Sequence, residues 1–249
     1  MRGTSKGATR AACGLLALLL GLAGCSEGGS SNGDGAGPPS PSAEPRVYVA
    51  VGASETVGVG ADDPATEAWP RVLRDTTFPR AELVDVGVSG ATVRDALATQ
   101  LKPALATRPD LVTVWLAVND ALSLVPVTDY ETHLGRLVHA LRRGGRTEVL
   151  VGNMPALDKL PAYRACLPGS QVSGVDCVLP LVPGPAQVRR TVAEFNAAIA
   201  RVVEREGAVA VDLSQQDDLA GLTSDDGFHP STEGHREVAR TFAAALDQD

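Results

Sequence analysis

Five residues of this chain could together perform acyl transfer, and they lie far apart in sequence. Ser54 follows the apolar run Val47-Tyr48-Val49-Ala50-Val51-Gly52. Gly90 closes Gly87-Val88-Ser89-Gly90, and Asn119 follows Leu111-Val112-Thr113-Val114-Trp115-Leu116. Asp226 and His229 share the stretch Ser224-Asp225-Asp226-Gly227-Phe228-His229-Pro230. Acyl transfer requires a nucleophilic oxygen, an imidazole to take its proton, a carboxylate to orient that imidazole, and donors for the oxyanion. An Asp three residues before a His, across a turn containing Gly, lets one short loop supply both base and orienter. Pro230 stiffens the residue beside the base. A Gly amide can approach an oxyanion closely, and an Asn side-chain NH₂ can donate to it. Taken singly, each residue has a plainer use: a Ser after a strand is most often a helix cap, and Asp225 competes with Asp226 for the acidic role.

The elements that must position these residues alternate between strand and helix patterns. Strands are expected at Val47–Gly52, Leu83–Val88, Leu111–Leu116, Glu148–Gly152 and Ala208–Asp212, each a short apolar run. Between them, helical spacing marks Glu67–Arg74, Ala91–Leu105 (Val93, Leu97 and Leu101), Tyr130–Leu141 and Val188–Val202. A last helix follows Pro230, capped by Ser231 or Thr232, and carries Val238, Phe242 and Leu246. Five strands alternating with helices argue for an α/β fold with a parallel sheet covered on both faces. In such sheets, ligands bind beyond the carboxyl ends of the strands. Ser54, Gly90 and Asn119 all stand there.

The pattern breaks between Asn153 and Gln187. That stretch holds Pro155, Pro161, Pro168, Pro180, Pro183 and Pro185, together with Cys166 and Cys177. A long stretch without periodicity inside a compact domain is usually functional. It is expected to form a surface loop at the rim of the site, pinned by a disulfide between the two cysteines.

The N-terminus reads as a targeting segment. Arg2, Lys6 and Arg10 precede an apolar run from Ala11 to Gly21, which is closed by Leu22-Ala23-Gly24-Cys25. That run is too short to span a bilayer core of ~30 Å. A small-residue cleavage site ending in Cys resembles the bacterial lipobox, implying a signal peptide over 1–24 and a lipid on Cys25. Residues 25–45 are Gly, Ser, Pro and acid without apolar periodicity, the composition of a flexible tether. The folded domain is expected over 46–249. Export and lipid anchoring on the extracytoplasmic side of the cell membrane agree with the cysteine usage. Cys13 falls within the signal and Cys25 at its end, so Cys166 and Cys177 remain as one pair in an oxidising compartment.

With 44% hydrophobic and 21% charged residues, the 249-residue chain can bury one full-sized core. Its net charge of −8 includes the three basic residues of the targeting segment, so the folded part is more acidic still. No basic patch survives that balance, and nucleic acid is excluded as a partner. Two cofactor motifs fail as well. Gly52 to Gly60 lacks the Lys-Ser/Thr of a P-loop, and Gly58-Val59-Gly60 is followed by Asp63 where a dinucleotide fingerprint has its third Gly. No metal-ligand spacing flanks the Cys pair.

Four blocks in order, Gly52-Ala53-Ser54-x-x-x-Gly58, Ser89-Gly90, Asn119-Asp120 and Asp226-x-x-His229-Pro230, resemble those of the SGNH hydrolases, the GDSL-type esterases and lipases. The resemblance covers roughly residues 46–249. It implies a flavodoxin-like three-layer α/β/α sandwich, with Ser54 as nucleophile, His229 as base and Asp226 as orienting acid. It also implies an oxyanion hole of the Ser54 and Gly90 amides and the Asn119 side chain, and no metal or organic cofactor. The expected substrate is an ester of a small molecule, a lipid or an acylated sugar. Three departures bear on substrate range: Ala53 stands where the family usually has Asp, Glu55 where an apolar residue is common, and Ala117 where Gly is usual. His235 lies at the positive end of the last helix, which disfavours an imidazolium there. Asp120 is expected to bond loop amides beside Asn119. Two alternatives stay open on the sequence: a non-catalytic ligand-binding lipoprotein on the same fold, and an acyltransferase using the same Ser54.

Overall fold

The computed structural model describes residues 44–170, 172, 174–177, 182–215 and 219–246. The expected signal segment 1–24, Cys25 and all but the last two residues of the expected tether lie outside the described residues.

Five strands form one all-parallel sheet: β1 (Val47–Gly52), β2 (Glu82–Asp85), β3 (Leu111–Trp115), β4 (Glu148–Gly152) and β5 (Val209–Val211), in the order β2-β1-β3-β4-β5. This is the doubly wound order in which the connections reverse beside β1. The helices between β1 and β3 are α1 (Ser54–Val57), α2 (Pro64–Glu67), α3 (Trp69–Thr77), α4 (Val93–Thr99) and α5 (Leu101–Ala106). Those that follow are α6 (Val118–Leu122), α7 (Val127–Arg142), α8 (Pro161–Arg164), α9 (Pro185–Glu206), α10 (Leu219–Leu222) and α11 (Thr232–Leu246).

Alternation along β1 shows how the layers are made. Val49 and Val51 point into a core built with α4, α7 and α9, through Val93, Leu134, Val138, Phe195 and Ile199. Tyr48 and Ala50 point the other way, onto α3 and α11, where Trp69 stacks on Phe242 at a centroid separation of 4.4 Å. Every residue of β3 is buried, as a central parallel strand covered on both faces must be. The result is the expected three-layer α/β/α sandwich.

Two expected helices are broken. The Ala91–Leu105 pattern divides into α4 and α5 because Pro103 has no N–H to offer the Thr99 carbonyl, four residues back. Thr92 caps α4 in a capping box with Asp95. The Glu67–Arg74 pattern is the end of α2 and most of α3, parted at Ala68. Of the two cap candidates for the last helix, Ser231 serves, accepting from the Gly234 amide at 3.2 Å. The Thr232 hydroxyl instead accepts from the Asp62 amide at 2.8 Å.

The 153–187 stretch carries more structure than its sequence announces. A 3₁₀ turn at Leu157–Lys159 leads into α8, and Leu160 and Tyr163 form a small third core with Leu219. Cys166 and Cys177 are bridged, closing a loop with a sequence separation of 11. Closing a loop of this size stabilises by roughly 3 kcal/mol on the chain-entropy estimate.

Candidate active site

β1 ends in a Gly52 held from two sides by one buried side chain. Gln100 accepts from the Gly52 amide at 3.0 Å and donates to its carbonyl at 2.9 Å. The chain then turns through Ala53 into the single turn of α1, whose first residue is Ser54, 8% exposed. The loop leaving β2 is fastened to the same point, because the Val88 amide donates to the Gly52 carbonyl at 3.1 Å. Gly90, two residues further, has φ +78°, a left-handed conformation that favours glycine. Among the described residues neither the Gly90 nor the Ser54 amide has a protein acceptor.

Asn119 opens the turn after β3. Its side-chain NH₂ donates to the Ala91 carbonyl at 3.1 Å, leaving its second hydrogen for another acceptor. Asp120 is buried, and its carboxylate accepts from the Val93 amide at 3.0 Å, tying the β3 turn to the start of α4. Burial pushes the Asp120 carboxyl up to about 6 against the opposing pull of that amide. Asp120 therefore sets the spacing between Asn119 and the Gly90 loop.

The segment before α11 is a tight turn. The Ser224 amide donates to the His229 carbonyl at 2.8 Å, and the Gly227 amide to the Ser224 carbonyl at 2.9 Å. Gly227 has φ +68°, and a Cβ there would lie 2.8 Å from the Ala162 nitrogen. Glycine is thus required both by conformation and by the approach of α8, whose Ala162 amide donates to the Gly227 carbonyl at 3.0 Å. The disulfide-bearing stretch accordingly does rest against the Asp226–His229 turn.

Within this turn Asp226 is clamped. Its Oδ1 accepts from the Ser224 hydroxyl at 2.9 Å, the Phe228 amide at 2.7 Å and the His229 amide at 2.9 Å. Its Oδ2 lies 2.5 Å from His229 Nδ1, and His229 Nε2 lies 3.0 Å from Ser54 Oγ. Burial alone would raise the Asp226 carboxyl, but the His229 ring, the two amides and the Ser224 hydroxyl outweigh it and hold the group below its usual value. Asp226 therefore remains a carboxylate and fixes the tautomer with Nδ1 protonated, leaving Nε2 to accept from Ser54. Phe228 stands edge-on against the imidazole at a centroid separation of 4.9 Å.

The competing residues are placed elsewhere. Asp225 is exposed and makes no hydrogen bond to the imidazole. His235 is fully buried between the Trp69 amide, at 3.3 Å, and the Val59 carbonyl, at 3.1 Å, and burial lowers its pKa. It serves as a neutral strut between α3, α11 and the loop after α1. Ala117 has φ 176°, extended backbone that any residue adopts, so no glycine is needed there. Ala53 packs into the core at 3% exposure.

Two contributors carry only faint marks in the sequence. Gln100 is a polar residue on the apolar face of a helical pattern, three beyond Leu97, which is the one sign that it serves the interior. Glu55 stands out as an acid directly after Ser54, where the family pattern commonly has an apolar residue, but nothing in the sequence shows where its carboxyl points. Its carboxyl turns back to within 3.3 Å of Ser54 Oγ, and burial pushes that carboxyl up. Beside it lies a cavity of about 60 Å³ walled mainly by apolar side chains, among them Trp115, Val118, Leu160, Leu213 and Phe228. Among the described residues no group of three His, Cys, Asp or Glu is arranged to hold a metal ion.

A hydroxyl, an imidazole and a carboxylate in series, at the carboxyl edge of a parallel α/β sandwich, is the equipment of an ester hydrolase. The chain belongs to the GDSL-like lipase/acylhydrolase family, whose profile matches residues 50–237, and is a carboxylic ester hydrolase of the GDSL type. Among curated proteins no relative matches it. Solved structures share its fold. A protein of the G-D-S-L family from Desulfitobacterium hafniense is 20% identical, with a TM-score of 0.60 over 80% of this chain and 99% of that one. The psychrotrophic esterase EstA from a Pseudoalteromonas species is 18% identical, with a TM-score of 0.60 over 82% of this chain and 97% of that one. The acetyl xylan esterase AlAXEase is 16% identical, with a TM-score of 0.57 over 80% of this chain and 98% of that one.

Proposed function

We propose that the chain is a serine esterase acting through an acyl-enzyme, with Ser54 as nucleophile, His229 as general base and Asp226 as its orienting partner. The observation that carries this is the unbroken hydrogen-bond series from Ser54 Oγ through His229 to Asp226. His229 Nε2 takes the hydroxyl proton as Oγ bonds to the ester carbonyl carbon. The oxyanion so formed is received by the Ser54 and Gly90 amides and the free hydrogen of Asn119. His229 returns the proton to the departing alcohol, then activates a water that releases the acid and restores Ser54. The apolar cavity beside Glu55 offers room for a short acyl group. The acetyl xylan named for one structural relative is an example of a short acyl group on a sugar, and it supports an acylated sugar or polyol as substrate.

The test is covalent. A fluorophosphonate should label the purified protein at Ser54 and leave Ser54→Ala unlabelled, as read by peptide mass spectrometry. Labelling at another serine would assign the chemistry elsewhere.

The same reading places the enzyme outside the cytoplasm, held on the membrane by lipid on Cys25. The lipobox supports this, as does the Cys166–Cys177 bridge, which belongs to an oxidising compartment. In its native host the wild type should partition with membranes, whereas Cys25→Ala should stay unprocessed or lose its lipid. Wild-type protein free in the medium with an unmodified N-terminus would refute the anchor.

A further inference from the structure

Glu55 has an unusual setting for a carboxyl group. It follows the nucleophile directly, and its Oε2 stands 3.3 Å from Ser54 Oγ, the oxygen that also faces His229 Nε2 at 3.0 Å. A serine hydroxyl has one proton, so it cannot serve both acceptors at once. In the productive state that proton goes to His229, and the Glu55 carboxyl then lacks a donor on that side. The neighbouring cavity offers it no cation: among the lining residues Thr223 carries a hydroxyl, which donates to the Ala220 carbonyl at 3.5 Å, and the only other ionisable group is Glu237. That second acid already has its counter-charge in Arg240, at 2.7 Å. No Lys or Arg lines the cavity among the described residues, and the aromatic faces of Trp115 and Phe228 contribute to its walls.

An ionised carboxylate so close to Oγ also opposes the negative charge of the tetrahedral intermediate. A cation on the substrate would cancel that opposition and supply the missing donor in one group. Its position on the substrate follows from bond lengths. In the acyl-enzyme, Oγ is bonded to the carbonyl carbon and the α-carbon comes next. A substituent on that α-carbon can come within one hydrogen-bond length of a carboxyl oxygen that is itself 3.3 Å from Oγ. With the alcohol leaving past His229, its general acid, the acyl group is the part of the substrate left to face Glu55 and the cavity that Glu55 lines. The cavity's water-accessible volume of about 60 Å³ is room for several waters at the ~10–15 Å³ that each requires, and so for a short acyl chain.

We infer that Glu55 selects the acyl group, and that the preferred substrates are esters of short acids bearing an ammonium on the α-carbon: short aminoacyl esters. The inference rests on the Ser54 hydrolase reading. Hydrolysis of such an ester follows the same two steps, with water as the only co-reactant, and releases the free amino acid and the alcohol. The ammonium is not consumed; it pairs with Glu55 through both tetrahedral intermediates.

Three ethyl esters of similar size separate the possibilities: alanine, lactic acid and propionic acid, which place an ammonium, a hydroxyl or nothing beyond carbon and hydrogen at the α-carbon. Hydrolysis is followed by pH-stat at pH 6.5, where an α-amino group with a pKa of roughly 7.7–8.0 is protonated. Wild-type kcat/KM for the alanine ester should exceed that for the propionate by at least about tenfold, with the lactate ester between them. Glu55→Gln, nearly isosteric, should shrink the alanine-to-propionate ratio by about tenfold or more.

A ratio that Glu55→Gln leaves unchanged overturns the inference. So does a lactate ester that is favoured as strongly as the alanine ester and responds equally to the substitution, because the cationic charge would then be irrelevant. If Glu55→Gln does not fold, the wild-type comparison still decides, since equal alanine and propionate values refute selection by Glu55. Fluorophosphonate labelling at Ser54 without turnover of any of the three esters also refutes it while leaving the nucleophile intact. Turnover that survives in Ser54→Ala would strike the hydrolase reading itself.

Discussion

Replacing Ser54 with alanine, or His229 with alanine, is expected to lower kcat by about 10⁴–10⁶, the loss seen when a nucleophile or its base is removed from a hydroxyl–imidazole unit. The two losses should not multiply. Ser54 Oγ and His229 Nε2 act on one proton across 3.0 Å, so once either is gone the other has nothing to do, and the double variant should be about as slow as each single one. Ser54→Ala deletes one small, largely buried hydroxyl, and its thermal unfolding should stay within a few degrees of wild type. Single-turnover and steady-state rates on a short-chain ester, with circular dichroism as the check on folding, measure both effects. A Ser54→Ala protein retaining more than about one hundredth of wild-type kcat would place the nucleophile elsewhere.

Asp226→Asn is the second large effect, with an expected loss of about 10³–10⁴ in kcat. Asn keeps an acceptor where Oδ1 receives the Ser224 hydroxyl and the Phe228 and His229 amides, so the turn should hold. What changes is the atom facing His229 Nδ1, where an amide NH₂ favours the wrong tautomer of the ring. Asp225→Asn should stay within about tenfold of wild type, a difference of ~1.4 kcal/mol, because that side chain faces solvent. Comparable losses at both positions would mean that the turn matters for its shape and that Asp226 has no special relation to the imidazole. His235→Asn should behave differently again. By removing a buried strut it should lower thermal stability more than it lowers kcat in the protein that remains folded.

The strand runs show how far sequence reaches and where it stops. β3 and β4 fall within a residue of their apolar runs, because a central parallel strand needs an unbroken apolar stretch and little else that is apolar surrounds it here. β2 was expected through Val88 but its ladder ends at Asp85. Beyond Asp85 the Val86 and Val88 amides still bond to the Ala50 and Gly52 carbonyls, but only the Val86 side chain packs against the core, and Val88 is exposed. Proline has local effects and was legible locally, as at Pro103 between α4 and α5. The prolines of 153–187 did not disclose that a 3₁₀ turn and α8 lie among them, since what holds those turns is a small core shared with Leu219, far along the chain.

Ser54, Gly90, Asn119, Asp226 and His229 could be proposed from the sequence because their types and their places at strand ends are local facts. Residue pattern alone also determined the parallel sheet and its two covered faces, since alternation and helical spacing are properties of neighbouring residues. Tertiary structure decided that Ser54 and His229, 175 residues apart, meet at hydrogen-bond distance. It also decided that Gln100 reaches back to clamp Gly52, and that Glu55 turns toward the nucleophile. Each of these depends on where one element lies against another, and that is set by the packing of whole faces, to which a single polar side chain contributes almost nothing.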